Sequence, residues 1–75
     1  MTWRVINNTT GAVVEGDFLG PRSACRALWI FTAHEVKNGR VADYRIEPPV
    51  DLIPAEDLNL PDWVHKALEN AKSPT

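Results

Sequence analysis

Cys25 and His34 are nine residues apart in this 75-residue chain, and a thiol beside an imidazole is the pairing that generates a thiolate nucleophile. Both fall on one predicted helix, and their spacing there forbids contact. At about 100° per residue they stand about 180° apart around the axis. Cys25 therefore reads as a small core side chain, and His65 meets it only through a tertiary contact that no spacing predicts. Asp62, His65 and Glu69 share a face of a second predicted helix, with the spacing of a helical metal site. Each also has an ordinary role there. An acid in the first turn favours the helix dipole, and Glu69 lies beside Lys66 and Lys72. One cysteine and two histidines match no zinc-ligand spacing. Gly16 and Gly20 bracket a loop that enters a helix, without the third glycine, lysine or preceding parallel strand of a phosphate cradle. No element positions paired carboxylates for hydrolysis. The expectation is a protein that is not an enzyme, with no catalytic, cofactor-binding or metal-binding residue.

The elements that carry these residues follow from periodicity and punctuation. Thr2 to Asn7 alternates as a strand, with Trp3 and Val5 on one face and Arg4 and Ile6 on the other. Asn8-Thr9-Thr10-Gly11 is a turn, and Ala12 to Glu15 is the returning strand of a hairpin. The two overlapping glycosylation sequons at Asn7 and Asn8 read as chance. Gly16 to Gly20 reads as a loop whose Phe18 and Leu19 tuck under the next element. Pro21 suits the first position of a helix that runs to about Lys37 and stops at Asn38-Gly39. Arg40 to Glu47 alternates as a third strand, with Ala42, Tyr44 and Ile46 inward and Val41, Asp43, Arg45 and Glu47 outward. Pro48-Pro49 ends it. Val50 to Leu60 is an extended segment with a short turn at Ala55-Glu56-Asp57, wrapping the body through Val50, Leu52, Ile53 and Leu58. Pro61 opens a second helix to about Ala71, with Val64, Ala67, Leu68 and Ala71 as its apolar stripe. Ser73-Pro74-Thr75 is expected to fray.

The predicted fold is α+β: a three-stranded antiparallel sheet (ββαβ) packed with one helix, plus a C-terminal helix. It forms one domain over residues 1–75, made of a ββαβ unit at 2–47, a wrapping segment at 48–60 and the helix at 61–72. Periodicity leaves the strand order open. A chain of this length buries only about 60–65% of its unfolded surface, and with a single cysteine it has no internal disulfide to compensate. Trp3, Trp29 and Trp63 supply large side chains for a thin core.

The lone cysteine fits a reducing compartment, and Met1-Thr2-Trp3-Arg4 leads straight into a strand pattern. No stretch approaches the roughly 18 apolar residues of a membrane span. The chain is expected to be cytoplasmic, with no membrane contact. Its net charge of −2 gives no global attraction to nucleic acid. The distribution is uneven: residues 1–45 carry +2 and residues 46–75 carry −4. The acidic part is expected to pack near the basic helix.

On a helical wheel, Ala24, Cys25, Leu28 and Phe31 form the core face of the first helix, with Trp29 and Val36 at its margin. Arg22, Ser23, Arg26 and Lys37 lie opposite. Ile30 lies there too, about 160° from Leu28, with Ala33 nearby. Arginine beside apolar side chains is the composition of an interface core. Arg22, Arg26, Trp29, Ile30, His34 and Lys37 are thus the predicted partner-binding surface. Glu47, Asp51, Glu56, Asp57 and Asp62 form a second, acidic candidate, suited to a basic groove. A homodimer through the helix would also enlarge the core. The alternative is a small nucleic-acid-binding regulator that uses the basic residues Arg22, Arg26 and Lys37, joined by Arg40.

The hairpin Trp3-Arg4-Val5-Ile6-Asn7-Asn8-Thr9-Thr10-Gly11-Ala12-Val13-Val14-Glu15-Gly16, leading into Gly20-Pro21-Arg22-Ser23-Ala24-Cys25-Arg26-Ala27-Leu28-Trp29, resembles small accessory proteins encoded by phages and prophages. Anti-CRISPR and other anti-defence inhibitors are among them. The resemblance lies in size, element order and absence of catalytic residues over about residues 2–47, and no functional residue is carried over. It implies a stoichiometric inhibitor that masks a surface on a host protein or protein complex.

Overall fold

Alternating β-branched and aromatic residues form β1 (Trp3–Asn7) in the structure, a computed structural model that describes residues 1–72. The expected fraying at Ser73-Pro74-Thr75 lies outside the described residues. The first turn is organised by Asn7 rather than Asn8. Its side-chain oxygen accepts from the amides of Thr9 at 2.8 Å and Thr10 at 3.3 Å, which mimics a backbone turn. Gly11, at φ +75°, closes the turn. Asn8 instead ties the turn to the chain before the third strand, where its amide donates to the Asp43 carbonyl oxygen at 2.9 Å.

The returning strand β2 is Val13–Phe18, longer than expected. Residues 16–18 stay in the sheet because β2 is irregular at two places. Its register against β1 shifts between the Trp3–Phe18 and Val5–Glu15 pairs, and again before Ile6–Val13. Each shift gives β2 one residue more than β1, and Asp17 absorbs one of them at φ +63°. Leu19 does not tuck under the helix; it is 86% exposed, whereas Phe18 packs on the core.

Helix α1 (Pro21–Lys37) has the expected bounds. Gly39 takes φ +72° beyond its end. The amides of Gly39 and Arg40 donate back to the carbonyls of Val36 at 3.0 Å and Glu35 at 2.8 Å, a Schellman closure that satisfies the last carbonyls. The third strand, β3, is only Tyr44–Glu47. Residues 40–43 stay outside it, and Val41 is 92% exposed. The sheet is antiparallel in the order β2-β1-β3. Beyond β3 the chain runs through a 3-10 turn at Ala55–Asp57 into α2 (Asp62–Lys72).

Helix α1 packs against β1 and β3 on one side and α2 on another. This double contact corrects the single core face read from the wheel. Leu28 and Phe31 look toward β3, where the rings of Phe31 and Tyr44 stand 5.9 Å apart. Cys25, Trp29, Ala33 and Val36 recur at helical spacing on a second stripe, and Val36 meets α2 beside Ala67. Ala33 is fully buried, not outward with Ile30. The core joins Val5 and Ile46 from the sheet to Leu58 and Leu60 from the wrapping segment and Val64 and Ala67 from α2. Ala71 and Leu52 lie at the surface instead. On the sheet's outer face Ile6 is also buried, paired with Val13 and Arg45.

Candidate functional site

The six residues predicted as one partner-binding surface fall into separate places. Arg22 donates through Nη2 to the backbone oxygen of Asp57 at 2.9 Å. Trp29 donates its indole N–H to the backbone oxygen of Ile53 at 2.8 Å. Both side chains pin the wrapping segment to α1, so neither is held free for a partner. This is also how the acidic segment meets the basic helix: Arg22 binds a backbone carbonyl there. His34 is exposed on the last turn of α1. Lys37 lies beside α2, with its ammonium 5.6 Å from the centre of the Trp63 ring, within cation–π range.

Arg26 and Ile30 remain together, in a groove between α1 and β2. Ser23, Arg26, Ala27, Ile30 and Phe31 form its helical wall, and Glu15 and Phe18 its strand wall. The groove has a volume of about 400 Å³ and is open to solvent. Ile30 is half-buried and packs on the core, which corrects its expected position among water and arginines. Phe18, the last residue of β2, lines the groove with it. Val13 and Val14 on the same strand are 52% and 40% exposed. Val13 stands opposite Ile6 on the outer face of the sheet, and the charged residues of the groove itself are Glu15 and Arg26.

The acidic candidates are also dispersed. Glu47 accepts from Arg45 at 3.0 Å, so its charge is offset within the sheet. Asp51, Glu56, Asp57 and Asp62 are exposed along the wrapping segment and the start of α2. Near the end of α1, Glu35 and Arg40 form a two-pronged ion pair. Its hydrogen bond holds the Glu35 carboxyl below the usual carboxylate range and lifts the Arg40 guanidinium. Burial, and then the nearby Glu35 charge, push the Tyr44 hydroxyl up. The Glu35–Arg40 pair ties the last turn of α1 to the chain that leaves it.

The Cys25 thiol is fully buried, and His34 is exposed on the same helix. Among the described residues, no three His, Cys, Asp or Glu side chains are gathered to hold a metal ion. No helix among them is long and apolar enough to cross a membrane.

A second groove escaped the sequence reading. It lies between the C-terminal end of α1 and α2, lined by Val36, Lys37, Trp63, Lys66, Ala67 and Asn70. Trp63 is not a core residue; 40% of it is exposed. The spacing of Trp63, Lys66 and Asn70 at i, i+3 and i+7 marks one helix face, and that was the available signal. No protein-family model, curated protein or solved structure matches this chain.

Proposed function

We propose that this chain is a non-enzymatic protein-binding module of the phage or prophage inhibitor type, which masks a surface of a bacterial defence or regulatory complex in the cytoplasm. The observation that carries the reading is the α1–β2 groove, with Phe18, Ala27, Ile30 and Phe31 as apolar lining beside Arg26 and Glu15. An apolar pocket edged by arginine and carboxylate suits a partner's buried anchor side chain ringed by polar contacts.

The nucleic-acid reading draws less support from the same geometry. Arg22 is engaged with the wrapping segment and Lys37 with Trp63. Arg40 is paired with Glu35. Arg26 is left without the row of cations that tracks a phosphate backbone.

Affinity capture from bacterial lysate should recover a partner at fixed stoichiometry. Arg26→Glu with Ile30→Asp should abolish recovery. Ser23→Arg, a substitution at an exposed groove position that leaves the core intact, should do the same. A partner still recovered with Ser23→Arg on a folded chain would place the contact elsewhere. Self-association through this groove is the competing use, read as a concentration-dependent mass before any partner is added.

A further inference from the structure

We infer that the groove between α1 and α2 is a second, independent docking site, and that its occupant is an acidic peptide segment bearing one apolar side chain. Val36 and Ala67 give this groove an apolar floor, and Trp63 gives it a partly exposed aromatic wall. Among the described residues its charged lining consists of Lys37 and Lys66, with Asn70 beside them. The whole chain carries −2, whereas the groove lining carries only cations, with Asp62 and Glu69 one turn from Lys66 on α2. The α1–β2 groove differs in kind, because Glu15 and Arg26 balance each other there.

Charge and shape together define the ligand. Two ammonium groups flanking an apolar floor attract carboxylates and repel basic segments. The floor and the indole then reward an apolar side chain between those carboxylates, since partly exposed tryptophan is a common anchor of protein interfaces. A nucleic acid fits less well. Two lysines offer few phosphate contacts on an acidic protein. The inference does not depend on the α1–β2 groove, and a failure of either site leaves the other testable.

The test is a titration of the full chain with the blocked peptide Glu-Asp-Glu-Leu-Phe-Asp-Glu, followed by amide and indole NMR shifts. Saturable shifts at the Trp63 indole N–H and at the amides of Val36, Lys66 and Asn70 are expected, weakening as salt rises. Lys37→Glu with Lys66→Glu reverses two surface charges and should weaken binding about tenfold or more. Both side chains are exposed, so the double variant keeps its fold, which the unchanged shifts of core amides would verify. Arg26→Glu should leave the titration unaltered. Equal binding of a peptide with lysines in place of the acids would overturn the inference. So would shifts centred on Ile30, or tighter binding of oligo-dT than of the acidic peptide.

Discussion

The indole N–H of Trp29 reaches the backbone oxygen of Ile53 at 2.8 Å, across 24 residues of sequence. It fastens the wrapping segment to α1, and Arg22 repeats the device at Asp57. The segment between the sheet and α2 has no strand or long helix of its own, so these two side chains, together with Leu58 and Leu60 buried in the core, fix its course. They also explain why α1 can be apolar around much of its circumference. Sheet, wrapping segment and α2 each cover part of it.

Trp29→Phe keeps most of the ring and removes the donor to Ile53. The expected loss of stability is about 1 kcal/mol, read as a lower denaturation midpoint, with faster amide exchange over residues 53–58. Partner recovery should persist, because Trp29 does not line the α1–β2 groove. Loss of recovery on a folded Trp29→Phe chain would return Trp29 to the contact surface.

Two backbone positions should respond in opposite directions. Gly39 has φ +72° with open space where a Cβ would stand, so Gly39→Ala carries only the left-handed backbone cost, about 1 kcal/mol. Asp17 already bears that cost at φ +63°. Asp17→Gly relieves it while loosening the unfolded chain, and the thermal midpoint should hold or rise. A marked fall would mean that the Asp17 side chain stabilises the bulge.

Stability should decline at both ends of the pH scale through one cluster. The folded state holds the Glu35 carboxyl below its ordinary value of 4.5, chiefly through the Arg40 hydrogen bond. That contribution is present above pH 4.5 and is lost as pH falls through the depressed value. Tyr44 is raised above 10.0, first by burial and then by Glu35. Its contribution is present below pH 10 and is lost as pH rises through the elevated value. Thermal midpoints across pH should therefore show a shallower acid limb for Glu35→Gln and a shallower alkaline limb for Tyr44→Phe. An acid limb unchanged by Glu35→Gln would assign it to other carboxylates.

Much of this fold was legible where local chemistry decides the outcome. Pro21 and Asn38-Gly39 set both ends of α1, and strand alternation brought out the hairpin and Ile46. What escaped depended on partners far along the chain. Glycine and aspartate at 16 and 17 read as a loop, yet register shifts against β1 keep them in the sheet. Ile30 is half-buried in a groove that Phe18, at the end of that extension, also lines. The wheel sets Ala33 outward because it shows one amphipathic face well, whereas α1 is covered from two directions and Ala33 is buried. Residue type alone puts Trp63 in the core, and only the crossing of α1 and α2 places it beside Lys37. The pairing of Arg26 with Ile30 was legible. The engagement of Arg22 and Trp29 with the wrapping segment was not, since backbone carbonyls carry no sequence signal.

The most direct measurement is amide hydrogen exchange on the chain with and without its captured partner. A protein-binding module that uses the α1–β2 groove should gain protection at residues 13–18 and on the first turns of α1 through Phe31. Ser23→Arg should erase that gain. Protection confined to α2 or to the outer face of the sheet, with residues 13–31 unchanged, would contradict the account.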